Sequence, residues 1–169
     1  MNKLEEHEEL RRRAALGEAG AQLQLAWEYA KGEIVTKNVD AAIGLLRQME
    51  AKAPQLARFN IAKIRYLEGD YRSFVEELRQ DCAAGFGPAL YLMGVYLKRK
   101  VGGDEGLREA IRYYRAAAQN GHLPSEFLVW RLGKLGFWQR FATAIPAHRT
   151  FMRSIAIRWR DQDDIRVLT

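Results

Sequence analysis

Residues 87–121 read GPALYLMGVYLKRKVGGDEGLREAIRYYRAAAQNG. In the first half, Ala89, Met93, Gly94 and Leu97 recur at helical spacing. Two of these four are small enough to let a neighbouring helix approach closely. Gly102 and Gly103 interrupt the pattern, and Asp104 is expected to cap a second helix. That helix carries Ala110, Ile111, Tyr114, Ala117 and Ala118, and Asn120-Gly121 supplies its stop signal. Two helices joined by a glycine turn form one unit, and the rest of the chain reads as variants of it.

The prolines set the period. Pro54, Pro88 and Pro124 lie 34 and 36 residues apart, each opening a run of helical spacing. In the first turn of a helix the missing proline N–H has no intrahelical partner to lose. Gly85 and Gly121, also 36 apart, close the helices before two of these prolines. A period in the mid-thirties with two helices per unit is the signature of a repeat solenoid.

The first unit, with Ala21, Leu25, Ala26, Tyr29, Gly32, Val35 and Ala42, resembles the Sel-one-like repeat, a relative of the tetratricopeptide repeat. The central unit is similar at Ala89, Met93, Gly94, Ala110, Ala117, Ala118 and Gly121, with Leu97 at the tyrosine position. Tyr66 and Gly69 match in the second unit, and Ser125, Val129 and Gly136 in the fourth, where Trp130 and Gly133 depart from the pattern. The resemblance runs from about residue 19 to residue 136. It implies an all-α fold, a right-handed α-α superhelix or solenoid of helix pairs, with an atypical helix at each end.

Three segments follow. Residues 1–17 form a polar capping helix, 18–136 three helix-pair repeats and a partial fourth, and 137–169 a basic aromatic cap or tail. In the N-terminal helix Asn2 can cap, and Glu8–Arg12 and Glu9–Arg13 are favourably oriented i,i+4 pairs. A polar outer helix closes the end of a solenoid. Further helices are expected at 19–31, 38–52 with Asn38 as cap, 55–68, 71–84 with Asp70 as cap, and 124–135.

Composition is that of a globular chain, 169 residues with 48% apolar and 28% charged side chains. One cysteine, Cys82, excludes an internal disulfide framework and a cysteine-rich metal site, and is expected to be an inert core thiol. The charged start, MNKLEEHEELRRR, lacks the apolar core of a signal peptide. The uncharged stretch 82–97 is too short to span a bilayer and contains Pro88. The expected location is cytoplasmic. Of the net charge of +6, residues 1–126 carry 19 basic against 18 acidic groups, and residues 127–169 carry eight against three. The last segment also holds three of the four tryptophans.

No catalytic constellation emerges. Gly102-Gly103-Asp104-Glu105 matches the signature of cyclic-dinucleotide synthases, but there it lies on a β-hairpin of a much longer α/β domain. Here it is a turn between helices. His7, His122 and His148 lie far apart, with no metal-ligand partner at i+3 or i+4. Lys98, Arg99 and Lys100 stand at a helix C-terminus, where cations complement the dipole. The expectation is a protein that is not an enzyme, with no cofactor and no nucleic-acid partner.

What the resemblance implies is an adaptor, since bacterial members of the family often serve in signalling, envelope polysaccharide production or host interaction. Its concave surface, lined by the first helix of each pair, would hold a protein or peptide. In repeats of this kind the two positions before the tyrosine position can face that groove, and here they hold Trp27 and Glu28, Ile64 and Arg65, Val95 and Tyr96, then Arg131 and Leu132, with some of the apolar members packed inside. Trp27, Glu28, Arg65, Tyr96 and Arg131 are the expected partner-binding residues, because aromatic and arginine side chains dominate binding hot spots.

The tail supports a second reading. After Pro146, Phe151, Ile155 and Trp159 share one helix face, and Arg149, Arg153 and Arg160 lie largely off it. Burying those three apolar side chains would contribute roughly 5–8 kcal/mol before entropy. Its five excess charges near anionic lipid would contribute about 1 kcal/mol each. The energies overlap, but the uncovered helix at 124–135 favours a cap. A peripheral membrane role for 137–169 is the alternative.

Overall fold

The computed structural model describes residues 3–132, and among them the secondary structure is helical throughout. The helices are α1 (Lys3–Ala15), α2 (Ala19–Lys31), α3 (Val39–Met49), α4 (Pro54–Leu67), α5 (Tyr71–Ala83), α6 (Gly87–Tyr96), α7 (Gly103–Gln119) and α8 (Leu123–Leu132). A single π-helical turn, Leu97–Val101, continues α6. The chain divides into two compact units, Met1–Leu78 and Arg79–Thr169. The Asn2 cap and everything expected of residues 133–169 lie outside the described residues, as do the side chains of Phe127, Trp130, Arg131 and Leu132.

In the first unit, α1 places His7, Leu10 and Ala14 on one stripe at i, i+3, i+7 and buries it against α2. Leu10, Ala14, Ala21 and Leu25 form one core cluster. A second is made by Ala26 of α2, Ala42, Leu46 and Met49 of α3, and Ala57, Ile61 and Ile64 of α4. Each large side chain in it contributes roughly 1.5–3 kcal/mol by leaving water. Alanines at positions 26, 42 and 57, all fully buried, let the backbones close up between them.

The caps follow the sequence where a side chain can reach. The Asn38 Oδ1 accepts from the Ala41 N–H at 2.9 Å and starts α3. Asp70 Oδ1 accepts from the Ser73 N–H at 3.1 Å and starts α5. Asp104 does not cap: α7 begins at Gly103, with Gly102 as N-cap and no side-chain hydrogen bond there. Asp104 and Glu105 fall in the first turn, where they complement the dipole instead. The α1 ion pairs also shift register. Arg11 pairs with Glu8 and Arg12 with Glu9, at i,i+3, while Arg13 reaches forward to Glu18 beyond the helix.

The second unit is built on the close approach of α6 and α7. Gly94 lies flat against the Tyr114 ring, and a Cβ at 94 would stand 2.6 Å from Tyr114 Cε1. Ala89, Leu90 and Met93 of α6 and Ala110 and Ala117 of α7 are buried as well, and the two helices pack against each other. Pro88 and Pro124 sit in the first turns of α6 and α8, and Pro54 does the same for α4, as their spacing predicts. Gly85 and Gly121 adopt φ of 76° and 79° as they end the preceding helices, a backbone region that disfavours L side chains.

Candidate functional site

Helix α2 buries Ala21, Gln22, Leu25 and Ala26. Trp27 and Glu28 come at the edge of that stripe, so both are half-buried. The Trp27 indole Nε1–H donates to Asn60 Oδ1 at 3.0 Å, and Asn60 Nδ2 donates to the Leu56 carbonyl at 2.8 Å. The amide of Asn60 is thus satisfied at both ends, and it holds the indole in one orientation. One turn further along α4, Lys63 sets its Nζ 5.2 Å from the Trp27 ring centroid and 5.5 Å from that of Phe59. Residues 59, 60 and 63 share one side of α4 through i,i+3 and i,i+4 spacing. Burial pushes the Lys63 amine below the ordinary lysine pKa.

Beside the indole lies a cleft of about 220 Å³, lined by Gln24, Trp27, Glu28, Lys31, Glu33 and Ile34. Glu28 is part of its wall. One carboxylate oxygen of Glu28 lies 2.6 Å from His7 Nδ1 of α1, with the two side chains 14% and 6% exposed. The His7 ring stands edge-on to Tyr29, with centroids 6.1 Å apart. Trp27 and Glu28 are therefore brought together at one cleft. Arg65 lies elsewhere on α4, half-buried, with Nη1 3.5 Å from the Asp70 carboxylate. Its Nε is buried and has no hydrogen-bond partner among the described residues.

In the second unit Tyr96 occupies the C-terminal end of α6 and is half-buried. Arg131 belongs to α8. Lys98, Arg99 and Lys100 are exposed on the π turn. His122 is buried after Gly121, with Nδ1 2.7 Å from Ser125 Oγ and its ring 4.9 Å from Tyr91. Burial lowers its pKa to about 4, so it is a neutral packing residue at pH 7. Burial, reinforced by the charge of Asp81, pushes the Cys82 thiol up to about 12, which leaves it protonated and inert. Among the described residues no group of three or more His, Cys, Asp or Glu could hold a metal ion. Nor is any described helix long and apolar enough to cross a membrane.

Two features of the first unit escape a reading of the sequence. The His7–Glu28 pair spans 21 residues, and Lys63 meets Trp27 across 36. Neither has a short-range spacing that would mark it. Lys63 sits in a run, NIAKIRYL, that reads as an ordinary amphipathic helix.

No family model matches the chain, and neither does any curated protein. Solved structures do. A protective antigen of uropathogenic Escherichia coli strains, displaying an SLR fold, matches with a TM-score of 0.54 and 25% identity over 74% of this chain. This chain spans only 28% of the length of that antigen. A Sel1 repeat protein from Oxalobacter formigenes matches with a TM-score of 0.62 and 18% identity, over 98% of this chain and 76% of the other. The mid-thirties spacing of the prolines, the adjacent packing of successive helices and these two structures agree that the chain is a relative of the Sel1-like repeat proteins and carries their all-α solenoid fold of helix pairs.

Proposed function

We propose that the chain is a non-catalytic adaptor that holds a protein or peptide on the first helices of its pairs. The observation that carries this reading is Trp27. A large aromatic side chain is fixed by a buried hydrogen bond to Asn60, yet it borders an open cleft with Glu28 and Lys31. A rigid aromatic surface at the edge of solvent offers contact area with little ordering cost on binding, the property that makes such residues hot spots. Arg65 adds a half-buried guanidinium whose Nη1 lies beside Asp70. The similarity to Sel1-repeat structures supports a protein-interaction scaffold in general terms.

The test is affinity capture from the native host with the full chain as bait. The triple variant Arg65→Ala, Tyr96→Ala, Arg131→Ala is expected to lose the captured partner while its thermal midpoint changes little. Retained capture by a well-folded triple variant would move the binding surface away from Arg65, Tyr96 and Arg131.

A further inference from the structure

The cations of the first unit are mostly matched. Lys37 pairs with Glu68 at 2.7 Å, Arg47 with Glu50 at 2.9 Å and with Glu77, and Arg65 with Asp70. Lys63 is different. It is half-buried, and among the described residues its ammonium faces two aromatic rings, with no carboxylate recorded beside it. Rings attract a cation through their quadrupole but accept none of its three N–H donors in the way an oxygen does. Lys63 therefore carries unused donors at a place where part of its hydration is already lost.

We propose that Lys63, seated over Trp27 and Phe59, is the anchor for a single carboxylate of a bound peptide, whose neighbouring apolar side chain lies in the cleft against Trp27. This inference rests on the adaptor reading above and names the chemistry of its ligand. Three observations support it. The seat is rigid, because Asn60 locks the indole that Lys63 covers. A carboxylate reaching the amine would form charge-assisted hydrogen bonds, the strong kind, with a cation that has less water left to shed. The third concerns the lining of the cleft, which Lys63 adjoins through the Trp27 ring. Glu28 is engaged by His7, Lys31 and Glu33 are an exposed base and an exposed acid of opposite charge, and Ile34 is an exposed apolar residue. With Lys31 and Glu33 offsetting each other, the cleft has no excess of cations for a run of acids, whereas one carboxylate on Lys63 flanked by an apolar side chain fits Lys63 and Ile34.

The experiment uses the full chain and two fluorescein-labelled, C-terminally amidated octapeptides that differ at one atom group. One presents Leu-Glu-Leu between Gly-Ser flanks, the other Leu-Gln-Leu, and binding is read by anisotropy. The wild-type chain is expected to bind the Glu peptide about tenfold more tightly than the Gln peptide. Lys63→Met should reduce that ratio to about one, with Lys63→Gln as a second neutral variant, while Lys63→Arg retains a preference for the acid. Neither neutral variant should lower the thermal midpoint, because each removes a partly desolvated charge rather than a satisfied ion pair. Equal binding of the two peptides by the wild type overturns the assignment, as does a preference that survives Lys63→Met. Equal binding that disappears in Trp27→Phe would leave the adaptor reading standing without Lys63. If neither peptide binds, the carboxylate site is wrong, and the capture experiment judges the adaptor reading separately.

Discussion

His122 is 1% exposed, hydrogen-bonded to Ser125 and stacked near Tyr91, with Nε2 buried and unpartnered among the described residues. Its pKa falls from 6.5 to about 4 because burial disfavours the imidazolium. In the unfolded chain the ring takes up its proton near the ordinary value, so acid favours unfolding. The stability from neutral His122 is fully present above pH 6.5 and is lost as pH falls through 6.5 towards about 4. Over that window the loss amounts to about 3 kcal/mol. Thermal melts of the wild type should show this decline, and His122→Gln should flatten it even if its midpoint at pH 7 is lower. Asp70 acts in a more acidic window. Its hydrogen bonds with Ser73 hold its carboxyl below the ordinary value, so the stability from the α5 cap is lost only as pH falls below about 3.8.

At the scale of elements, two glycines of helix interiors have opposite meanings. Gly94 of α6 faces Tyr114, where a Cβ would meet ring atoms at 2.6, 2.8 and 3.1 Å. The ring is 2% exposed, so it has no free direction in which to swing away. Gly44 of α3 has nothing within 4 Å of the place a Cβ would occupy. Gly94→Ala should therefore destabilise by about 1–3 kcal/mol through overpacking of α6 against α7. Gly44→Ala should stabilise by roughly 0.5–1 kcal/mol, because alanine loses less backbone freedom on entering a helix. Denaturant melts of the two variants measure both, and a Gly94→Ala chain as stable as the wild type would show that α6 and α7 do not pack this closely.

At the scale of the whole molecule, residues 137–169 are expected to act as a cap on the last helix. Helix α8 packs on α7, and Leu123 and Ser125 at its start are buried. A repeat array needs its last apolar face covered, and the following segment supplies apolar residues at helical spacing. Deleting residues 137–169 is expected to lower the thermal midpoint by several degrees and to promote aggregation. A truncated chain that keeps its midpoint but stops co-sedimenting with anionic liposomes would instead support the peripheral-membrane reading.

The sequence by itself determined the class of fold and where most helices begin, although the helix expected over 38–52 ends at Met49. Proline at the first turn, glycine at positive φ and Asn38 or Asp70 at a cap act within a few residues, so their effect does not wait for tertiary contacts. The small residue Gly94 likewise announced a close helix contact. Asp104 misled because Gly102 and Gly103 already form the turn, and α7 starts one residue before the acid that was expected to cap it. What only the tertiary structure decided is the chemistry of the candidate site. Trp27, Asn60 and Lys63 belong to two different helices, and His7 reaches Glu28 from a third. Periodicity places each of these residues on a helix face, but the partner that face meets depends on how the helices pack. Only that packing makes Trp27 a fixed wall and leaves Lys63 over aromatic rings instead of beside an acid.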